Sequence, residues 1–301
     1  MSAERTAPPR AVVLRRPTEY EQLLARHATR GQVAFFLQAR GESIEPVEAA
    51  HHELQRARAN VLAAIPAKWR RIEVERSALD RFLFERDDVV VALGQDGLIA
   101  NAAKYLVDGQ PIIGINPDPS RYEGVLVRHP PAAAGDLLAD AAAHRAQVEA
   151  RTMAEATRDD GARLVALNEI FVGHASHQSA RYELRLGDRS ERQSSSGLIV
   201  ATGTGQTGWT RSIRADRHSA LTVPSPTAAV LTLFVREAWP SVASGAELTE
   251  ALVAATPAVV VSRMETGGTV FGDGIESDHL DLPWGARATI AVSRQRLHLV
   301  V

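Results

Sequence analysis

The segment from Asp88 to Asn116 constrains the fold more than any other. Asp88-Val89-Val90-Val91-Ala92-Leu93 is a continuous apolar run that stops at Gly94-Gln95-Asp96-Gly97. Leu98, Ala102, Tyr105 and Leu106 then recur at helical spacing, and Pro111-Ile112-Ile113-Gly114-Ile115-Asn116 is a second apolar run. Strand, glycine turn, helix and strand make a βαβ unit, and strands that are apolar on both faces belong to a parallel sheet covered by helices. Ligands of such sheets lie beyond the carboxyl ends of the strands, where Asp96 and Asn116 both fall.

The flanking segments extend this pattern. Ala11–Leu14 is a short apolar run, and Thr18 with Glu21 forms a capping box that starts a helix through about His27. Gln32 to Leu37 reads as a second buried strand. From Pro46, residues Val47, Ala50, Leu54, Ala57, Val61 and Ala64 mark one helical face. Ile72 and Val74 alternate with charged residues, as in a strand with one wet face. After Pro130-Pro131 an alanine-rich helix, about 132–145, leads into short strand-like segments at 164–172, 180–186, 198–202, 258–261, 289–292 and 297–300. Helical patterns return at about 228–239 and 247–255. The expected architecture is therefore a Rossmann-like α/β domain over residues 1–130, with a mostly parallel sheet, followed by a β-rich domain of β-sandwich type over 131–301. The last strands are free to return to the first domain.

Composition removes whole classes of chemistry. The chain has 301 residues, 45% of them hydrophobic, a net charge of −2 and no cysteine. Thiol nucleophiles, zinc-thiolate sites and iron–sulfur clusters are excluded. Near-neutral charge speaks against nucleic acid or an anionic membrane as partner. No apolar stretch approaches the roughly 20 residues of a membrane span, and Met1–Arg5 lacks a secretory pattern, so the expectation is a cytoplasmic protein. Only Lys68 and Lys104 of the 34 basic residues are lysine, and neither follows a glycine as a Walker loop requires.

Three motifs carry chemistry. The Gly94-Gln95-Asp96-Gly97 turn offers backbone amides to a phosphate and a carboxylate to a hydroxyl, although an Asp there could equally cap the helix. Asn168-Glu169, ending the run Leu164–Leu167, offers donors and acceptors suited to a ribose or an adenine edge. Gly203-Thr204-Gly205-Gln206-Thr207-Gly208 spells a dinucleotide fingerprint, yet it lies in the β-rich half, no clear amphipathic helix follows it, and no acid stands near 223–230. His174 and His177 lack an evident third metal ligand, His51-His52 lies on a polar helix face, and no Gly-x-Ser-x-Gly elbow exists.

Taken in order, the Gly-Gln-Asp-Gly turn, Ala166-Leu167-Asn168-Glu169 and Gly197-Leu198-Ile199-Val200-Ala201-Thr202-Gly203-Thr204-Gly205 resemble the successive signatures of the NAD kinase family, with weaker similarity around Gly272-Asp273-Gly274. Asn116-Pro117-Asp118-Pro119, Ser195-Ser196-Gly197-Leu198 and Trp209 resemble its mitochondrial-type branch. The resemblance implies ATP-dependent phosphorylation of the adenosine ribose 2′-hydroxyl of NAD to give NADP. It implies Asp96 as general base and Gly94 and Gly97 shaping the phosphate-facing turn. Asn168 and Glu169 would hold the NAD ribose and adenine, Asn116 would be a further nucleotide contact, and Thr204, Gly205 and Thr207 would line the nucleotide pocket. Mg²⁺ would arrive with ATP, and a homodimer or higher homo-oligomer is expected. Gln95 and Leu98 depart from the family loop, which has a second glycine and a hydroxyl there, and Gln206 and Gly208 also differ. Gln95 raises the question of a backbone angle that only glycine accepts easily. The rivals are a catalytically impaired nucleotide-binding or regulatory protein on the same fold and a lipid kinase of the diacylglycerol kinase superfamily, which lacks the Asn-Glu strand end.

Overall fold

The computed structural model describes residues 8–107 and 109–301. The chain divides into two compact units, residues 1–149 with 298–301, and residues 150–297. The division therefore falls after the alanine-rich helix rather than at residue 130, and that helix belongs to the first unit.

In the first unit the elements are β1 (Arg10–Arg15), α1 (Glu19–His27), α2 (Arg30–Gln38), α3 (Glu45–Ala64), β2 (Arg70–Glu75), β3 (Val89–Leu93), α4 (Asp96–Ala103), β4 (Pro111–Ile115) and α5 (Ala134–Ala142). The sheet order is β2-β1-β3-β4, and the chain's last residues add a further rung beside β4. Every pairing is parallel, with Val12 beside Ile72, Val13 beside Val91, Ala92 beside Gly114 and Ile112 beside Leu299. All five residues of β3 are buried, as a strand covered on both faces requires. One face packs Val13, Val91 and Ile113 against Val61 of α3 and Leu138 of α5. Each such side chain contributes about 1.5–3 kcal/mol on burial.

Thr18 caps α1 as the sequence predicts, its hydroxyl accepting from Glu21 N while the Glu21 carboxylate accepts from Thr18 N. The expected strand at 32–37 is instead α2. Thr29 accepts from Gln32 N, and Val33 and Leu37, four residues apart, join Leu23 and Ile44 in a small core. The uninterrupted Val-Ala-Phe-Phe-Leu run masked that i, i+4 spacing.

The second unit contains β5 (Val148–Arg158), β6 (Arg163–Ala166), β7 (Glu169–His174), β8 (Ala180–Leu186), β9 (Arg189–Ser195), β10 (Leu198–Ala201), α6 (Trp209–Arg217), β11 (Leu231–Val235), β12 (Glu250–Val253), β13 (Ala258–Ser262), β14 (Gly268–Gly272), β15 (His279–Asp281) and β16 (Arg287–Val300). One sheet runs β16-β13-β8-β9, with β5 and β6 at its side, and the other runs β12-β11-β10-β7-β14-β15. Their inner faces share one core, including Ile170, Val172, Tyr182, Val200, Leu233, Val260 and Ile290. This is a sandwich.

Three expectations are corrected here. The patterns at 228–239 and 247–255 are β11 and β12, not helices. Every residue of β11 is buried, so its apolar residues fall on both faces and mimic a helical period. A helix does follow the Gly203–Gly208 loop: α6 sets Trp209 and Ile213 against Phe171 and Ile199, and its outer face is arginine-rich. The segments at 289–292 and 297–300 belong to the single strand β16. β10 pairs antiparallel with both β7 and β11, which removes a Rossmann reading of the loop.

Candidate nucleotide site

The first unit carries a glycine-containing turn at the carboxyl end of β3. Gly94 sits at φ 151°, a conformation that disfavours a side chain. Gln95 is extended, at φ −105° and ψ 163°, so the residue that replaces the family glycine carries no backbone strain. Gly97 lies in the first turn of α4 with open space where a Cβ would stand.

Asp96 organises the chain around it. Its Oδ2 accepts the Val125 N–H at 2.9 Å, and its Oδ1 accepts those of Leu126 at 2.8 Å and Val127 at 3.0 Å. A carboxylate offers about four lone-pair sites, so one, on Oδ2, remains open. Asn116 holds the same segment from its other end. Its amide donates to Tyr122 O at 2.9 Å and its Oδ1 accepts from Asp118 N at 3.0 Å. Asn116 is buried, and one hydrogen bond at each end of its amide ties it to this loop.

In the second unit the structure brings Asn168, Glu169, Thr204 and Gly205 together. Thr202 is the hub: its hydroxyl donates to Leu167 O at 2.6 Å and accepts the N–H groups of Thr204 and Gly205 at 3.1 and 3.2 Å, while its own N–H donates to Asn168 O. A Cβ on Gly205 would stand 2.3 Å from Asn168 O, so only glycine permits this approach. Thr204 accepts from the fully buried Arg151 guanidinium at 3.3 Å. Thr207 is exposed and donates to Thr204 O. Gln206, foreign to the family pattern, is buried and donates to Thr202 O and Thr232 Oγ1 at 3.1 and 2.8 Å. It supports the loop from beneath.

Two properties of this site were not read from the sequence, the backbone clamp made by Asp273 and the raised proton affinity of Glu169. Asp273 accepts the N–H of Leu167 at 2.9 Å and of Asn168 at 2.6 Å, and the half-exposed Asn168 side-chain amide makes no hydrogen bond among the described residues. The glycines on both sides of Asp273, a closer setting than the Gly94-Gln95-Asp96-Gly97 turn, were the available signal. Asp273 itself adopts φ 52°, which Asp tolerates better than most residues. Glu169 is buried, and burial together with the nearby Asp273 charge pushes its carboxyl up to about 7. Among the described residues no group of three or more His, Asp or Glu forms a metal cage.

The fold defines the class. The solved structure of an NAD kinase from Archaeoglobus fulgidus in complex with ATP matches 97% of this chain and 93% of its own, with a TM-score of 0.58 and 19% identity. A yeast NADH kinase complexed with NADH matches 98% and 84%, with the same TM-score and 16% identity. Both establish an NAD kinase fold. No family model matches the chain. Among curated proteins, mitochondrial NAD kinase 2 of rat and of human are each 27% identical over 256 residues, covering 68% of this chain and 60% and 58% of theirs. The match thus spans less than two thirds of those relatives. The chain thus has the fold of the solved NAD kinases and a sequence similar to the mitochondrial NAD kinases.

Proposed function

We propose that this protein transfers the γ-phosphoryl group of ATP to the 2′-hydroxyl of the adenosine ribose of NAD. The observation that carries the reading is the unbonded Asn168 amide, set beside buried Glu169 and against the Gly203–Thr207 loop by the Gly205 approach and the Asp273 clamp. A half-exposed amide next to a buried carboxyl presents the donors and acceptors that a ribose and an adenine edge require. Magnesium would enter as part of the MgATP substrate and neutralise charge on the transferring group.

Asp96 would accept the ribose proton through its open Oδ2 lone pair, with Gly94 and Gly97 forming the turn. Asn168, Glu169, Thr204, Gly205 and Thr207 would bind the dinucleotide. Positioning and electrostatics, not a covalent intermediate, would supply the rate. No described helix is long and apolar enough to cross a membrane. A homo-oligomer working in the cytoplasm belongs to the same proposal.

One observation favours a second reading. Three of the four acceptor sites on Asp96 are already filled by backbone N–H groups, an arrangement suited to a nucleotide-binding protein with little turnover. The test is to incubate the protein with NAD, ATP and Mg²⁺ and follow NADP, beside Asp96→Asn. NADP formation that falls at least ~100-fold in the variant supports the kinase with Asp96 as base. Equal activity in both sinks the base assignment. Saturable NAD binding by calorimetry without NADP supports the second reading.

A further inference from the structure

The arginine-rich composition has a local expression at the carboxyl edge of the parallel sheet. β1 and β2 run in register to Arg15 beside Glu75, so Arg16 and Arg76 follow side by side just past the strand ends. β3, on the other side of β1, ends at the Gly94–Gly97 turn. At about 4.8 Å between strands, the three strand ends span about 10 Å along one edge.

The acids nearby are already engaged elsewhere. Arg15 pairs with Glu21 at 3.5 Å and with Glu75 at 3.9 Å, Glu75 also accepts from Ser77 Oγ, and Glu21 also accepts from Thr18 N. Arg16 is exposed and makes neither an ion pair nor a hydrogen bond among the described residues. Arg76 is half-buried, and its Nε donates to Asn101 Oδ1, a neutral acceptor on the helix that opens at Asp96. Its terminal nitrogens have no partner among the described residues. Burial and then the Arg16 charge both disfavour the Arg76 cation, and no carboxylate opposes them. Two adjacent guanidiniums without a counter-charge raise each other's energy, and an anion bridging them relieves that cost. Guanidinium forks match phosphate oxygens in geometry as well as charge.

We infer that Arg16 and Arg76, with Arg76 oriented by Asn101, form an anion clamp for the oligophosphate of the phosphoryl donor. The inference rests on the kinase reading and deepens it. It supplies two cationic donors on the edge where the family's second loop glycine and loop hydroxyl are replaced by Gln95 and Leu98.

The test uses the full chain and two readouts. Inorganic tripolyphosphate is titrated by calorimetry into wild type, Arg16→Ala, Arg76→Lys and the double variant Arg16→Ala with Arg76→Gln. Steady-state constants are measured on the same set with NAD and MgATP. Arg16 holds nothing within the fold, so Arg16→Ala probes the clamp without disturbing packing. The expected result is tripolyphosphate binding weakened at least about tenfold in Arg16→Ala and further in the double variant, with partial retention in Arg76→Lys. KM for ATP should rise by the same factor while the Kd for NAD stays within about twofold. Absence of tripolyphosphate binding to the wild type, or binding and KM for ATP unchanged in the variants, overturns the clamp. Loss of NAD affinity instead of ATP affinity also overturns it, assigning the pair to the dinucleotide. If the wild type makes no NADP yet binds tripolyphosphate through these arginines, the kinase reading fails and the clamp stands. NADP formation with unchanged KM for ATP leaves the kinase reading standing without the clamp.

Discussion

Asp273 accepts the backbone N–H of Asn168 at 2.6 Å. With the Leu167 N–H bound to its other oxygen, one carboxylate sets the direction of the strand end that carries both the free amide and the buried acid of the site. Asp96 does the equivalent for residues 125–127. Each of these two aspartates thus first serves the backbone, and any chemistry it performs depends on the acceptor capacity left over.

Replacing Asp273 by alanine removes the acceptor from two N–H groups. The expected loss is about 1–3 kcal/mol of stability, since donors left without a partner incur their desolvation cost. Denaturant unfolding measures this, and calorimetry should show NAD binding weakened in parallel. Unchanged NAD affinity in a folded Asp273→Ala protein would mean the clamp does not position Asn168.

Glu169 sets a pH dependence of stability. Its carboxyl is raised in the folded state from 4.5 to about 7, so between those values the native state binds a proton that the unfolded chain has released. This contribution is fully present below pH 4.5 and is lost as the pH rises through 7. The loss is at most about 3 kcal/mol. Glu169→Gln should remove that slope and be the more stable protein at pH 8. Thermal melts between pH 5 and 8 on both proteins check it, and parallel curves would contradict the assignment.

The loop glycines should behave in opposite ways. A Cβ at Gly205 lies 2.3 Å from Asn168 O, so Gly205→Ala forces the two site motifs apart and should abolish NAD binding. Gly97 has open space and a helical position, so Gly97→Ala should leave stability unchanged or raise it by about 0.5–1 kcal/mol. A folded Gly97→Ala protein with a raised KM for ATP would show that phosphate needs this backbone bare.

Gln95 already occupies extended backbone, so Gln95→Gly should gain no activity and should lower stability by about 0.5–1 kcal/mol through unfolded-state entropy. NADP formation and unfolding midpoints compared with wild type test this. A gain in kcat would show instead that the Gln95 side chain obstructs the donor.

The βαβ unit around Gly94–Gly97, the Thr18–Glu21 capping box, the alternation of the β-rich half and the order of the three family motifs were legible in the chain, because each is written in neighbouring residues. Local pattern failed in short uninterrupted apolar runs. Val33 and Leu37 hid in an apolar run, and β11, buried on both faces, imitated a helix. Tertiary structure alone decided which candidates keep free chemistry. Asn116 commits one bond from each end of its amide to its own loop, Asp96 keeps one acceptor site, and Asn168 makes no side-chain hydrogen bond among the described residues. The reason is that hydrogen-bonding capacity is consumed by partners distant in sequence. Asp273 stands more than a hundred residues from Asn168, so residue identity sets what each group can do and the fold sets what remains for a ligand.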